Sequence, residues 1–264
     1  MEIIVAIKQV PDTLEAEIDP ETHTLIRAGL PTAINSFDEI GIELALQLRQ
    51  RHGGRVTILS MGPKSAIRAI QTAYAMGADR GVLLNDRRLA GSDTWATAVA
   101  LAAAIRKLGP FDLLIFGKQA SDGDTAQVGP EVAQLCDVPQ VTYVVNVRSL
   151  DLSGRRIEVE RILERGRQRV RASLPALLTV TKGEVFPHFP TLAEVLAARK
   201  KEVAVWGLDE LGLARDSVGL RGSPTRVRQV FSPTHNVNVE LFEGAVTEAV
   251  PRLVDRLLGG GAIR

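Results

Sequence analysis

Apolar positions in the first half of the chain follow two alternating rhythms. Short unbroken runs have the length and branching of buried strands: Ile3–Ile7, Val56-Thr57-Ile58-Leu59, Val82-Leu83-Leu84, Leu113-Leu114-Ile115-Phe116 and Val141–Val147. Between them Ile40, Leu44 and Leu48, and then Ala66, Ile67, Ile70 and Ala73, recur at helical spacing. Ser36-Phe37-Asp38-Glu39 reads as a capping box in which serine and glutamate satisfy each other's backbone donors. Gly53-Gly54 stops that helix, and the next closes near Gly77. Ser92 or Asp93 caps a helix running to about Lys107, and Glu131–Leu135 reads as another. This alternation predicts an α/β three-layer sandwich with a mostly parallel, doubly wound sheet. Ligands of such sheets sit beyond the carboxyl ends of the strands. Lys8–Asp12, Met61-Gly62-Pro63 and Gly117–Gly129 all fall there, and Asn35–Asp38 opens a helix that can face the same edge.

The rhythm changes near Asp151. Ile157–Arg161 and Gln168–Ser173 alternate around Glu164-Arg165-Gly166-Arg167, a hairpin pattern, and Pro175–Val180 reads as a further strand. These are expected to extend the sheet with antiparallel members. Thr191-Leu192-Ala193-Glu194 is a second capping box, opening a helix that ends in Arg199-Lys200-Lys201. Those cations suit a helix C-terminus or an acidic partner. Glycine and proline break the stretch from Gly207 to Pro233, where only Val227–Phe231 resembles a strand. Val246–Leu258 is amphipathic and is expected to form a helix beginning near Pro251. Residues 1–202 therefore read as one α/β domain. Residues 203–264 read as a C-terminal arm that packs on a partner, or as a tail folding back on its own domain.

Bulk properties narrow the function. A chain of 264 residues suffices for one large domain, or a domain plus an appendage. A net charge of +1 gives no electrostatic case for nucleic acid, and 4% aromatics argues against base-stacking platforms. The single cysteine, Cys136, allows no internal disulfide and fits a reducing, cytoplasmic setting. Met1–Lys8 lacks the pattern of a signal peptide, and no apolar run is long enough for membrane insertion.

The segment Gly117–Pro130 carries the chemistry. It is a small, polar, glycine-bearing turn between a strand and a helix, which offers closely spaced N–H groups to a phosphate. Gly123 and Gly129 permit close backbone approach, and Asp124 or Thr125 suits a helix cap. The turn is neither a Walker loop nor a dinucleotide fingerprint. Asp122 and Asp124 read as caps and solvated groups rather than metal ligands. His23, His52, His188 and His235 are scattered and read as surface residues. No nucleophile elbow is present, so no independent catalytic activity is expected. Phe37 fits either a core position or one projecting from the cap towards a ligand.

Val5-Ala6-Ile7-Lys8-Gln9-Val10-Pro11-Asp12, Asn35-Ser36-Phe37-Asp38, Ser60-Met61-Gly62-Pro63, Ala75-Met76-Gly77-Ala78-Asp79-Arg80, the Gly117–Gly129 turn and Pro187–Lys201 occur in the order found in the beta subunits of electron transfer flavoproteins. The chain resembles that family over nearly its whole length. The resemblance implies a heterodimer with an alpha subunit that holds a redox-active FAD, with a second nucleotide buried in this chain. That nucleotide is AMP in ordinary carriers and FAD in electron-bifurcating members. Ala6, Asn35, Ser36, Phe37, Asp38, Met61, Asp122, Gly123, Asp124, Thr125, Ala126, Gln127 and Val128 would line its site. Phe37 would approach the partner's flavin, Leu192 would dock on client dehydrogenases, and the C-terminal arm would embrace the alpha subunit. Thr13 stands where some relatives have an aromatic residue, and Ser36 where a proline is common. Pro11-Asp12-Thr13 and the stretch Gly123–Gly129 resemble relatives that include bifurcating members. The implied function is electron transport from flavin dehydrogenases of acyl-CoA type, as in fatty acid oxidation, to a quinone reductase. Its alternatives are a bifurcating subunit oxidising NADH at an FAD bound here, and a stand-alone adenine-nucleotide-binding domain.

Overall fold

The computed structural model describes residues 1–12, 31–228 and 239–260. Thr13, His23 and His235 lie outside these residues, as does the end of the strand expected at Val227–Phe231. Two units are present, Met1–Arg228 and Gln229–Arg264.

The first unit opens with β1 (Glu2–Ile7), β2 (Gln9–Pro11), β3 (Thr32–Ile34), α1 (Ser36–His52) and β4 (Arg55–Met61). It continues through α2 (Ile67–Ala75), β5 (Arg80–Leu84), α3 (Thr94–Leu108), β6 (Leu113–Gly117) and α4 (Val128–Leu135). Then come β7 (Gln140–Asp151), β8 (Arg156–Leu163), β9 (Gly166–Ser173), β10 (Ala176–Val180), α5 (Leu192–Ala198) and β11 (Ala204–Trp206). Two one-turn helices close it, α6 (Leu208–Leu211) and α7 (Gly219–Gly222). The main sheet has the order β11-β5-β4-β1-β6-β10-β7-β8-β9, and β2 pairs with β3 in a small ribbon.

The expected α/β sandwich is present. Residues alternate between two cores: Ile3, Val5 and Ile7 of β1 face one with α1 and α2, while Ile4 and Ala6 face the other with α3 and α4. Because both faces are covered, the central strands read as continuous apolar runs. Gly41 lets α1 lie close to the sheet, since a Cβ there would sit 3.2 Å from Ile115 Cγ2.

Several details differ from expectation. β10 is not an antiparallel extension; it inserts between β6 and β7 and pairs parallel with both, and the antiparallel pairings of the main sheet are those of β8 with β7 and β9. Its five residues, apolar but for Thr179, are all buried, as suits a sheet centre covered on both faces. The first compact unit runs past residue 202 to Arg228, and β11 pairs with β5 at the sheet edge. Arg88 bridges Asp86 and Asp209 at 2.7 and 2.9 Å, tying α6 to the loop after β5.

At the far edge, β9 presents Arg167, Arg169 and Arg171 at alternate positions. Arg167 reaches Glu160 at 2.9 Å and Arg171 reaches Glu158 at 3.1 Å. In the second unit, α8 (Val246–Gly259) begins before Pro251 instead of near it. Only the opening turn precedes the ring, so the proline removes a hydrogen bond close to the helix start. Val246, Val250, Leu253, Val254 and Leu258 of α8 are exposed. Among the described residues no helix is long and apolar enough to cross a membrane.

Gly41→Val forces methyl groups into Ile115, Val180 and Val5. We expect it to lower stability by about 1–3 kcal/mol, read as a fall in the urea midpoint with an unchanged slope.

Candidate functional site

Three loops meet at the carboxyl end of the parallel strands because two side chains of the α1 entry hold them there. Asn35 is the N-cap residue, yet its side chain makes no cap bond. Its Nδ2 donates to Gln119 O at 2.8 Å, and its Oδ1 accepts from Ser121 N at 3.2 Å. The capping box expected at Ser36-Phe37-Asp38-Glu39 is thus absent: Ser36 is already the first helical residue, and Asn35 serves the neighbouring turn instead. Asp38, buried, accepts from Lys8 N at 2.7 Å and Gly117 N at 3.1 Å, joining the loops after β1 and β6. Gly117 is obligatory here, because a Cβ would lie 2.1 Å from Asp38 Oδ1.

The turn after β6 is anchored at its start and open at its end. Gly123 N and Asp124 N both donate to Ala120 O. Lys8 Nζ contacts Asp122 Oδ1 at 2.6 Å, and Gln119 Nε2 donates to Asp124 Oδ1 at 2.6 Å. Asp124 and Ala126 then adopt left-handed backbone, with φ of 50° and 55°. That conformation is uncommon for residues with a Cβ, and alternating it along a turn makes successive N–H groups converge. The N–H groups of Thr125, Ala126 and Gln127 have no hydrogen-bond partner among the described residues.

The cap of α4 is Gln127, without a side-chain bond, so neither Asp124 nor Thr125 fills that role. Gly123 is open, with nothing within 4 Å of a Cβ built there, whereas Gly129 makes its close approach to Thr179 of β10. Val128 starts α4, half-buried, and the Gly123–Thr125 stretch is exposed. Ala6 and Met61 lie on the α3/α4 side of the sheet, at the ends of β1 and β4. The expected residues thus gather around one edge, except Leu192, which opens α5 elsewhere on the unit. Asp93, rather than Ser92, caps α3 by accepting from Ala96 N at 3.0 Å. The box at Thr191 and Glu194 is formed as expected.

Other features have little or no sequence signal. Lys118 places its ammonium 5.8 Å from the Phe37 ring centre and 5.4 Å from that of Tyr143. Tyr143 has φ 59° at a β-bulge in β7, which alternation in a strand does not reveal. Phe37 is half-buried against the α1 core, so it is a packing residue with one ring face near Lys118. His188, read from sequence as a surface residue, is half exposed, but its Nδ1 lies 2.5 Å from Glu43 Oε2. Phe186, Phe189, Leu192 and Leu196 leave an apolar surface beside it, Phe189 being 95% exposed. Among the described residues no group of three or more histidine, cysteine or acidic side chains is placed to hold a metal ion.

Burial pushes the Asp38 carboxyl up to about 7, against the opposing N–H groups of Lys8 and Gly117. A carboxyl raised on folding binds its proton more tightly in the native state, so it makes stability fall as pH climbs from its ordinary value towards 7. The slope is about 1.4 kcal/mol per pH unit. Asp38→Asn abolishes that slope and turns an N–H2 group against one of the two donors. We expect urea midpoints of Asp38→Asn to lie below wild type at about pH 5, with the gap narrowing at about pH 8.

A family model described as electron transfer flavoprotein domain matches residues 22–211. The electron transfer flavoprotein subunit beta of Thermoanaerobacterium thermosaccharolyticum is 46% identical, over 97% of this chain and 98% of its own. Protein FixA of Sinorhizobium fredii is 44% identical, over 96% of this chain and 92% of its own. The caffeyl-CoA reductase-Etf complex subunit CarD of Acetobacterium woodii is 39% identical, over 97% and 98%. The chain belongs to the electron transfer flavoprotein family, among its beta subunits.

Proposed function

We propose that this chain buries an adenylate at the carboxyl edge of its sheet and works in a heterodimer whose alpha subunit carries the redox-active FAD. The observation that carries the reading is the run of three N–H groups, Thr125 to Gln127, unpartnered among the described residues and shaped by left-handed backbone at Asp124 and Ala126 just before α4. Such a concavity suits phosphate oxygens, and the α4 dipole favours their charge. Asn35 and Asp38 keep the turn in place from the α1 side. Ala6 and Met61 offer a small and a flexible apolar surface at the strand ends for an adenine or ribose. The same site serves AMP or the ADP half of a second FAD. When bound, FAD supplies one-electron chemistry; the protein supplies distance, orientation and local charge.

The dimer would accept electrons from flavin dehydrogenases of acyl-CoA type and deliver them to a quinone reductase. The name of the Acetobacterium relative, which places that protein in a complex with a caffeyl-CoA reductase, supports a partner enzyme that acts on CoA thioesters. The apolar segment at Phe186, Phe189, Leu192 and Leu196 supports docking of the dehydrogenase there. The exposed apolar stripe of α8 supports the C-terminal unit as an arm lying on the alpha subunit. Denaturing the purified heterodimer and counting what is released tests the reading. One flavin plus one AMP supports the carrier, two flavins support a bifurcating subunit, and no nucleotide beyond the partner's FAD overturns the adenylate site.

Two substitutions separate the parts. Gly123→Glu meets no protein atom within 4 Å of its Cβ, so the fold tolerates it, but its carboxylate repels a phosphate. We expect it to release the second nucleotide while leaving the thermal midpoint of the nucleotide-free protein unchanged. Leu192→Ala removes an exposed apolar anchor. We expect a roughly tenfold rise in the carrier concentration that half-saturates the dehydrogenase, with bound flavin unchanged.

A further inference from the structure

The adenylate reading makes no use of Lys118 or Tyr143, and the cluster they form with Phe37 is unusual in construction. Three elements converge to make it. Phe37 stands in the first turn of α1, Lys118 directly follows β6, and Tyr143 lies on β7. Lys118 N donates to Val180 O at 2.8 Å, which fixes the base of its side chain. Tyr143 N donates to Thr179 Oγ1 at 3.2 Å. Between Val141 and Val144 the register of β7 against β10 slips, and Tyr143 takes up left-handed backbone at the slip. A bulge re-aims the side chain it carries. Here the phenol ring comes to lie 5.4 Å from the Lys118 ammonium, with Phe37 at 5.8 Å.

Both distances fall within cation–π range. Two rings hold the ammonium in place but cannot neutralise it, and no described carboxylate pairs with Lys118. Asp122 and Asp124, the nearby acids of the turn, are engaged by Lys8 and Gln119. Tyr143 is 36% exposed, so the cluster faces outward from the unit. A fixed, uncompensated cation between aromatic walls suits a conjugated ring that acquires negative charge.

We propose that Lys118, cradled by Phe37 and Tyr143, stabilises the negative charge that the partner subunit's flavin ring gains on reduction. This rests on the reading above, that an alpha subunit carries the redox-active FAD, and adds that its ring comes against this cluster. In the transfer concerned, a dehydrogenase's reduced flavin loses one electron and the ring beside Lys118 gains it. No proton moves and no bond is made, so the ring gains one unit of negative charge. Lys118 does not touch the donor; it acts by charge alone.

The test is the one-electron reduction potential of the FAD in the intact heterodimer, followed by spectroelectrochemistry in wild type, Lys118→Met, Lys118→Gln and Lys118→Arg. We expect the two neutral variants to lower the equilibrium ratio of reduced to oxidised flavin about tenfold, a potential more negative by about 59 mV for one electron. Lys118→Arg should keep the wild-type potential, because it restores both charge and stacking. Flavin content should match wild type in all of them. Wild-type potentials in both neutral variants, with flavin retained, overturn the proposal and leave Lys118 a packing residue read only in thermal stability. A wild-type heterodimer that carries no flavin overturns the underlying reading together with it.

Discussion

A carboxylate with two backbone donors organises the edge on which everything else rests. Asp38 takes one N–H from the loop after β1 and one from the end of β6, two strands that are neighbours in the sheet. Neither donor has another place to go once α1 covers them. The side chain therefore stays buried at a cost that raises its proton affinity, and no residue with a Cβ can replace Gly117 beside it. Asn35 repeats the device one turn earlier, with one amide serving both an acceptor and a donor of the turn after β6. The open N–H groups of Thr125 to Gln127 thus sit at the end of a chain of constraints that begins on a different helix.

Much of this was legible in the residues. Continuous apolar runs gave away the buried parallel strands, because a strand covered on both faces has no polar side to show. Helical spacing revealed α1 and α2, a capping residue at Ser92 or Asp93 marked α3, and the Thr191–Glu194 box marked the start of α5 correctly. The less legible features depend on long-range partners. β10 follows a hairpin in sequence, so local pattern made it a further antiparallel strand, while its pairing is decided by the gap between β6 and β7. Ser36 and Glu39 have the spacing of a cap, but Asn35 is one residue earlier and is claimed by a turn far along the chain.

The site was legible as a segment and not as a geometry. Glycine and small polar residues pointed to the turn after β6, and the resemblance to a family supplied the facing residues. Nothing in the sequence foretold left-handed backbone at Asp124 and Ala126, residues not obliged by chemistry to adopt it. Lys118 and Tyr143 carry no sequence signal for a related reason. A lysine after a strand and a tyrosine within one are both ordinary, and only the register slip in β7 brings them together.

The border of the sheet at β9 has a consequence of its own. A terminal strand leaves main-chain donors and acceptors that a second strand can use, which is how sheets lengthen across molecules. Arg167, Arg169 and Arg171 stand in a row along that border. Two copies meeting there would crowd the Arg167–Glu160 and Arg171–Glu158 pairs and set one Arg169 against the other, which disfavours the aligned pairing that feeds fibril growth. The arginines act as a fence, keeping the longest exposed seam of this subunit closed to its own kind.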